Sequence, residues 1–284
     1  MQTARKKVSF IGIGAGMAPS LLYSYIKLHP EICFPKEETN FFNNTEVYAR
    51  GLKWYENQFI KSKKHLVCGE LVENYLQYAP TAGLIAKTLP DARLIVVIEN
   101  PLLAVRVSYV EARRNNLISK TVSLAHFLKN NPEILQSICH GKQLAKYFSY
   151  YSPTDLLVLT ADEVRDEPLR VLKEVYDHIG VNNQFIPTEL KYLLVDEEAE
   201  KKKKPWFVTR LIKKIINSFI FIYKNLKSKV QPLKLPVEIA FTVARQIPLS
   251  PEVESYLKKY YKEDVNMLSH LLRRSLANKW GFDE

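Results

Sequence analysis

The sequence has 284 residues, of which 46% are hydrophobic, enough for one good-sized core and more than a disordered chain contains. Three widely spaced cysteines exclude a disulfide framework, and six histidines without paired spacing give no metal-binding pattern; we expect no metal and buried cysteines in a reducing compartment. The basic amino terminus runs directly into a short apolar strand and lacks the pattern of a secretory signal, so we expect a cytoplasmic protein.

The net charge of +11 comes from one segment of the chain. Between Lys201 and Pro236 there are eleven basic residues and no acidic one, and the remaining 30 basic residues balance the 30 acidic ones. Apolar residues recur there at helical spacing, which predicts a basic helical cap or insertion over residues 201–248 within a single domain of residues 1–284. Our preferred hypothesis is that this segment forms a cap that covers a ligand site. The second hypothesis is that residues 201–236 contact an anionic membrane surface. A sulfated glycan is a third reading, and we do not expect nucleic acid as a partner.

Four apolar runs predict buried strands, at Val8–Ile13, Leu66–Cys68, Leu94–Ile98 and Leu156–Leu159. Helical patterns lie between and after them, at Ser20–Leu28, Leu102–Arg113, Glu163–Ile179 and Ser250–Leu272. This alternation predicts an α/β fold with a central, mostly parallel sheet flanked by helices. Ligands of such sheets bind at the carboxyl ends of the strands, which here means Gly14–Ser20, Gly69–Tyr75 and Glu99–Tyr109.

Several short motifs follow one another in a specific order. They are Phe10–Ala15, Tyr23–Lys36, Glu38–Phe42, Gly69–Glu70 with Asn74–Leu76, Leu89–Val97 with Asn100–Pro101, Leu156–Leu159, and Ser250–Val253. In this order and spacing the chain resembles the heparan-type and bacterial sulfotransferases that use 3′-phosphoadenosine-5′-phosphosulfate (PAPS). The resemblance covers nearly the whole chain outside Lys201–Gln246 and implies the P-loop-like sulfotransferase fold.

The resemblance also implies a reaction, the transfer of a sulfuryl group from PAPS to a hydroxyl or amine of a small metabolite or glycan. It implies Glu70 as the general base and Lys36 and Tyr75 as acceptor-binding residues. It places PAPS at the loop after the first strand, which consists of Gly14, Ala15, Gly16, Met17, Ala18, Pro19, Ser20 and Leu21. It also implies PAPS contacts at Glu99 and Ser108.

These positions depart from the family pattern, in which the loop reads Gln-Lys-x-Gly-Thr-Thr. The loop here has no lysine, keeps a single hydroxyl at Ser20, and loses a backbone N–H at Pro19. Glu99 replaces the arginine that precedes Asn-Pro in the family, and the family serine falls on Val107, next to Ser108. A carboxylate about 4 Å from a phosphate weakens its binding by roughly 4 kcal/mol at an effective dielectric near 20.

Two hypotheses therefore remain open. In the first, Arg106, Lys36 or the basic segment supplies the missing positive charge and the chain is a sulfotransferase. In the second, the chain is a pseudoenzyme or a repurposed fold that no longer uses PAPS. Glu70 is equally compatible with a base and with a surface carboxylate that caps a helix, and Glu99 with a ligand-site residue and with a solvated charge.

A dinucleotide-binding reading is disfavoured. Gly12–Ala18 follows a strand as the Gly-x-Gly-x-x-Gly fingerprint does, but its third glycine would be Met17 or Pro19. Neither residue allows the close packing of helix on strand that glycine provides. A kinase-type phosphate loop is excluded because the chain has no Gly-Lys-Ser/Thr after this strand.

Overall fold

The computed structural model describes residues 8–14, 18–59, 66–119, 121–190 and 237–283. Ala15, Gly16 and Met17 of the predicted PAPS loop and residues 191–236 of the chain, which include most of the predicted basic cap, lie outside the described residues. The described strands form one five-stranded sheet in the order β2-β3-β1-β4-β5, and all of its strand pairs are parallel. The strands are β1 Val8–Gly14, β2 Ile32–Cys33, β3 Val67–Val72, β4 Arg93–Ile98 and β5 Leu156–Thr160.

Helices separate and follow these strands along the chain. They are α1 Ala18–Ile26, α2 Thr45–Tyr48, α3 Leu52–Glu56, α4 Thr81–Thr88, α5 Pro101–Arg114, α6 Leu124–Asn130, α7 Glu133–Ser137, α8 His140–Phe148, α9 Ala161–Asp166, α10 Pro168–Ile179, α11 Val237–Gln246, α12 Pro251–Leu272 and α13 Leu276–Trp280. Two short 3₁₀ turns cover Glu73–Tyr75 and Thr188–Leu190. Among the described helices, none combines the length and the apolar character needed to cross a bilayer.

Each face of the sheet is buried under a separate hydrophobic cluster. One cluster joins Ile11, Val96 and neighbouring strand residues to α4, α5, α8 and α12. The other joins Phe10, Ile95 and their neighbours to α1, α9 and α10. Strands buried on both faces read as continuous apolar runs, which is why the sequence pattern located four of them. The predicted α/β fold with helices on a parallel sheet is confirmed.

Two predicted boundaries were wrong, and one strand was not predicted. The strand expected at Leu66–Cys68 is longer and runs over Val67–Val72, so Glu70 lies within it rather than in a loop. The helix expected at Glu163–Ile179 is two helices, because Pro168 begins a new one and Glu167 before it leaves the helical backbone conformation, with φ −131° and ψ 49°. β2 was not predicted, since two residues are too few to show a strand period.

The turn after β1 brings the first helix very close to the strand. A Cβ atom at Gly14 would collide with the ring of Pro19, so only glycine fits this position. Gly14 is also paired with Val97, and Ile13 with Val72, so the carboxyl ends of β1, β3 and β4 share one edge of the sheet. This edge carries the candidate site.

Glu163 ties the last strand to the end of the long helix α12. One of its carboxylate oxygens accepts hydrogen bonds from the backbone and hydroxyl of Thr160, at 2.8 and 3.0 Å, as a helix cap. The other accepts from Arg274 at 2.6 Å and Arg170 at 3.2 Å. Burial alone would raise the pKa of Glu163, but the bonds from Arg274 and Thr160 lower it to about 2.

Glu163→Gln should lower the free energy of unfolding at pH 7 by about 1–3 kcal/mol, since it removes charged hydrogen bonds. The folded pKa lies below the unfolded value of about 4.3, so this contribution is complete above pH 4.3 and is lost as pH falls towards 2. Urea unfolding at several pH values between 7 and 3 measures the difference. Glu174→Gln, in an exposed pair with Arg170, is the control and should cost less than about 1 kcal/mol. A pH-independent loss in Glu163→Gln would contradict the assignment.

Candidate active site

Glu70, on β3, is the central residue of the candidate site near the carboxyl ends of β1, β3 and β4, which we call the carboxyl edge of the sheet. It is 1% exposed, and three hydroxyls donate hydrogen bonds to it. Tyr55 and Tyr75 donate to Oε1 at 2.7 and 2.8 Å, and Thr39 donates to Oε2 at 2.7 Å. We call Thr39, Tyr55 and Tyr75 the hydroxyl set. A buried carboxylate requires such donors, because its charge is very costly to remove from water without them.

The hydroxyl set is held in place by aromatic packing. Phe41 stacks on Tyr55 with ring centroids 4.5 Å apart, and Phe42 meets Tyr75 edge to face at 5.8 Å. The Tyr147 hydroxyl donates to the backbone oxygen of Tyr75 at 2.7 Å, which fixes the 3₁₀ turn that follows β3. The side chains around Glu70 are therefore buried in the main core and ordered by it.

Burial raises the pKa of Glu70, and hydrogen bonds from Thr39, Tyr55 and Tyr75 oppose that rise. Burial and the neighbouring charge of Glu70 also raise the pKa of Tyr55 and of Tyr75, so both remain protonated donors. A carboxylate with a raised pKa is a better proton acceptor near neutral pH than an ordinary glutamate.

A cavity of about 190 Å³ opens beside Glu70 at the carboxyl edge. Its wall includes one positively charged side chain, Lys36, and the aromatic rings of Tyr23 and Phe34. It is lined by Ser20, Tyr23, Phe34, Pro35, Lys36, Glu37, Glu38, Glu70, Leu71 and Glu73. Ser20 and Glu70, both predicted from the sequence, therefore share one cavity.

Ser20 lies in the first turns of α1, and its hydroxyl donates a hydrogen bond to Glu73. Glu73 begins the 3₁₀ turn directly after β3. This contact joins the start of α1, the helix that follows β1, to the 3₁₀ turn that follows the neighbouring strand β3.

Glu99 directly follows β4, is buried, and takes part in a group of alternating charges. Its Oε2 accepts from Arg165 of α9 at 2.9 Å, and Arg165 also contacts Asp162. Arg245 of α11 lies 3.5 Å from the same Asp162 carboxylate. Burial raises the pKa of Glu99, and the charge of Arg165 opposes the rise. Glu99 is therefore a paired, buried group, and its reading as a solvated charge was wrong.

The other predicted residues fall in different surroundings. Leu21 is buried in the core, and Pro19 packs against Gly14. The Ser108 hydroxyl donates to the Ala104 carbonyl within α5 at 3.0 Å. Lys36 is exposed and lines the cavity, whereas Tyr75 points its hydroxyl at Glu70 from within the core.

Four residues of this edge were not predicted as site residues: Thr39, Tyr55, Glu73 and Arg165. Thr39 lies in the motif Glu38–Phe42, and Glu73 lies in the predicted ligand-binding stretch Gly69–Tyr75, so the sequence indicated both regions. Tyr55 and Arg165 gave no local signal, because they meet Glu70 and Glu99 across 15 and 66 residues of chain. Within the part of the chain that the structure describes, no group of three or more metal-ligating side chains is found.

Comparisons of the sequence identify relatives of one kind. The chain is 24% identical over 180 residues to the mouse heparan sulfate glucosamine 3-O-sulfotransferase 5, a match over 60% of this chain and 51% of that protein. It is 23% identical over 185 residues to the mouse bifunctional heparan sulfate N-deacetylase/N-sulfotransferase 4, over 58% of this chain and 21% of that protein. The chain thus spans about half or less of the length of these relatives. No protein-family model matches it.

Comparisons of the structure give the same answer for the fold. The chain superposes on a sulfotransferase from Alicyclobacillus acidocaldarius with a TM-score of 0.68 and 17% identity, over 96% of this chain and 98% of that one. It superposes on mouse sulfotransferase SULT7A1, solved in complex with PAP (3′-phosphoadenosine-5′-phosphate), with a TM-score of 0.53 and 12% identity, over 91% and 84% of the two chains. The chain is thus similar in sequence to heparan sulfate sulfotransferases and has the fold of the sulfotransferases.

Proposed function

We propose that the chain is a sulfotransferase that transfers a sulfuryl group from PAPS to a hydroxyl or amine of a small metabolite or glycan. The observation that carries this proposal is the buried Glu70 carboxylate beside a cavity at the carboxyl edge of the sheet. In the reaction, the acceptor oxygen or nitrogen forms a bond to sulfur as the bond from sulfur to the phosphate oxygen breaks. Glu70 takes the acceptor proton, and PAP leaves.

The donor side is proposed to lie at the turn after β1, next to Ser20. The amino terminus of α1 starts there, and the N–H groups of a helix start favour an anion. The single hydroxyl of Ser20 faces the same cavity as Glu70, which would place donor and acceptor on either side of it. Sulfuryl transfer needs positioning and charge stabilisation more than covalent participation by the protein.

An anionic donor such as PAPS requires positive charge, and the described cavity wall supplies little of it. Four glutamates and one lysine line the cavity, so the described wall repels an anion overall. Lys36 is the cation at the cavity itself, and the basic segment 201–236 is proposed as the cap that brings further cations. We propose a cytoplasmic location and, for the same segment, contact with an anionic membrane surface as a second role.

The group around Glu99 favours a second candidate function. Arg165 stands close to the position that the family resemblance assigns to the donor nucleotide, but Glu99 and Asp162 both neutralise it. A pseudoenzyme or repurposed sulfotransferase fold, which binds a ligand other than PAPS, would need no free cation there. The two candidates differ in their affinity for the nucleotide.

Isothermal titration of the wild-type chain with PAP separates the two candidates. Binding in the micromolar range, a binding free energy of about −8 kcal/mol, supports the sulfotransferase. Adenosine 5′-phosphate, which lacks the 3′-phosphate, is the control and should bind more weakly. An absence of heat at millimolar PAP would contradict the proposal and favour the repurposed fold.

Glu70→Gln should lower kcat by about 10²- to 10⁴-fold, because an amide cannot take the acceptor proton. PAP affinity should change little, since the substitution is isosteric and lies on the acceptor side. Sulfuryl transfer from ³⁵S-labelled PAPS to a panel of hydroxyl and amine acceptors measures the rate. Glu133→Gln, on the exposed surface of α7, is the matched control. Equal rates in the Glu70 and Glu133 variants would remove Glu70 from the mechanism.

Glu99→Gln should strengthen PAP binding by about tenfold or more. The variant keeps the shape of Glu99 and removes one of the two carboxylates that neutralise Arg165. Titration of PAP at two salt concentrations is the measurement, and the gain should shrink at high salt. An unchanged affinity would show that the nucleotide does not approach this end of β4.

A further inference from the structure

The hydroxyls of Thr39 and Tyr75 are each oriented by a backbone N–H that donates to the hydroxyl oxygen. The Phe41 N–H donates to Thr39 Oγ1 at 3.2 Å, and the Phe42 N–H donates to the Tyr75 hydroxyl at 3.3 Å. An amide that donates to a hydroxyl oxygen occupies one of its acceptor positions and favours an orientation in which the hydroxyl proton points to another partner. That partner is Glu70 in both cases. Thr39 and Tyr75 are therefore oriented as donors to the carboxylate.

The two amides come from consecutive residues that the core holds rigidly. Both phenylalanine rings are buried, and the Thr81 hydroxyl donates to the Phe42 carbonyl at 3.3 Å. The chain from backbone amide to hydroxyl to carboxylate is buried along its length. Hydrogen bonds in such a chain polarise one another, which strengthens the bonds that reach Glu70.

Tyr55 differs from the other two members of the hydroxyl set. Among the contacts of the described residues, its hydroxyl bonds to Glu70 and to no backbone amide. Its proton can therefore turn away from Glu70, and its oxygen can then accept a hydrogen bond from a protonated carboxyl. The tyrosine ring itself stays fixed, because it stacks on Phe41 and is 0% exposed.

The groups that face Glu70 come from three elements. They are Thr39 in the segment after β2, Tyr55 on α3 and Tyr75 in the 3₁₀ turn. The Thr39 backbone N–H also donates to Glu70. The charged residues of the same cavity, Lys36, Glu37, Glu38 and Glu73, line its wall. Burial raises the pKa of Glu70, and the hydrogen bonds from the hydroxyl set and from the Thr39 backbone oppose that rise.

We infer that Thr39, Tyr55 and Tyr75 are positioning residues: Thr39 and Tyr75 hold Glu70 as an ionised base, and Tyr55 reorients when Glu70 receives the acceptor proton. This inference rests on the proposed function, since it gives Glu70 the role of base. The proton moves from the acceptor O–H or N–H to Glu70 while the acceptor bonds to sulfur and the electron pair of the broken S–O bond leaves with PAP. No other group gains or loses a proton, because the Tyr55 hydroxyl only rotates.

Tyr55→Phe tests the inference with the least disturbance, because it leaves no backbone amide without a partner. Losing a hydrogen bond to a charged group should keep Glu70 neutral to higher pH and move the acid limb of kcat/KM to higher pH by about one to two units. The rate should recover as the pH is raised. Two readouts are taken on the full chain, the ¹³C NMR titration of the Glu70 carboxyl and the pH profile of kcat/KM.

Tyr261→Phe is the matched control, since its hydroxyl is also buried and donates to the Leu135 carbonyl, away from Glu70. Thr39→Ser and Thr39→Val form a second pair that keeps or removes a hydroxyl, and it stands in if Tyr55→Phe does not fold. Thr39→Ser should titrate as the wild type does, and Thr39→Val should move the Glu70 titration to higher pH.

The outcomes separate this inference from the proposed function. An unchanged Glu70 titration in Tyr55→Phe and Thr39→Val would overturn the inference, whatever the activity. A titration that moves without a matching move of the acid limb of kcat/KM would overturn the role of Glu70 as base, and the positioning role with it. The inference is supported if the Glu70 titration and the acid limb of kcat/KM move together in Tyr55→Phe and Thr39→Val. Neither should move in Tyr261→Phe or Thr39→Ser.

Discussion

The arrangement of the site depends on one costly feature, a carboxylate placed inside the core of the protein. Glu70 lies on β3, which pairs with the central strand β1, and burial raises the pKa of its carboxyl. Three hydroxyls from three separate segments offset that cost, and an aromatic cluster orders those segments around it. A strand residue with these partners cannot be replaced by an apolar one without leaving buried hydroxyls unsatisfied, so the fold and the chemistry of this edge are built on the same contacts.

The carboxyl edge carries two groups of charges with different character. Around Glu70 the partners are neutral hydroxyls, so the carboxylate keeps its ability to take a proton. The charged partner of Glu99 is Arg165, which also contacts Asp162, and Arg245 contacts Asp162 in turn, so that alternating charges cancel one another. The first group suits proton transfer, and the second reduces the attraction that an anionic nucleotide would feel at the end of β4. The similarity to sulfotransferases favours binding of PAP, whereas the neutralised charge of Arg165 disfavours it. A measurement of PAP affinity decides between the two.

Much of the fold could be predicted from the sequence, because parallel strands buried on both faces leave continuous apolar runs. Glu70 and Ser20 were found through their motifs, and the structure places both beside one cavity. Two partners of the carboxylates, Tyr55 and Arg165, were not predicted. Tyr55 reaches Glu70 only because Phe41 and the sheet pack it there, and Arg165 reaches Glu99 only because β5 lies beside β4. Sequence periodicity reports which face of an element is buried, but not which polar groups meet across elements.

The central claim is that the cavity at Glu70 is where an acceptor meets a sulfated nucleotide. A crystal structure of the chain with PAP tests this most directly. The account predicts nucleotide density at the carboxyl edge, with the 5′-phosphate end turned towards Ser20 and Glu70 accessible from the remaining cavity. Nucleotide bound away from this edge, or a crystal that takes up none at saturating concentration, would contradict it.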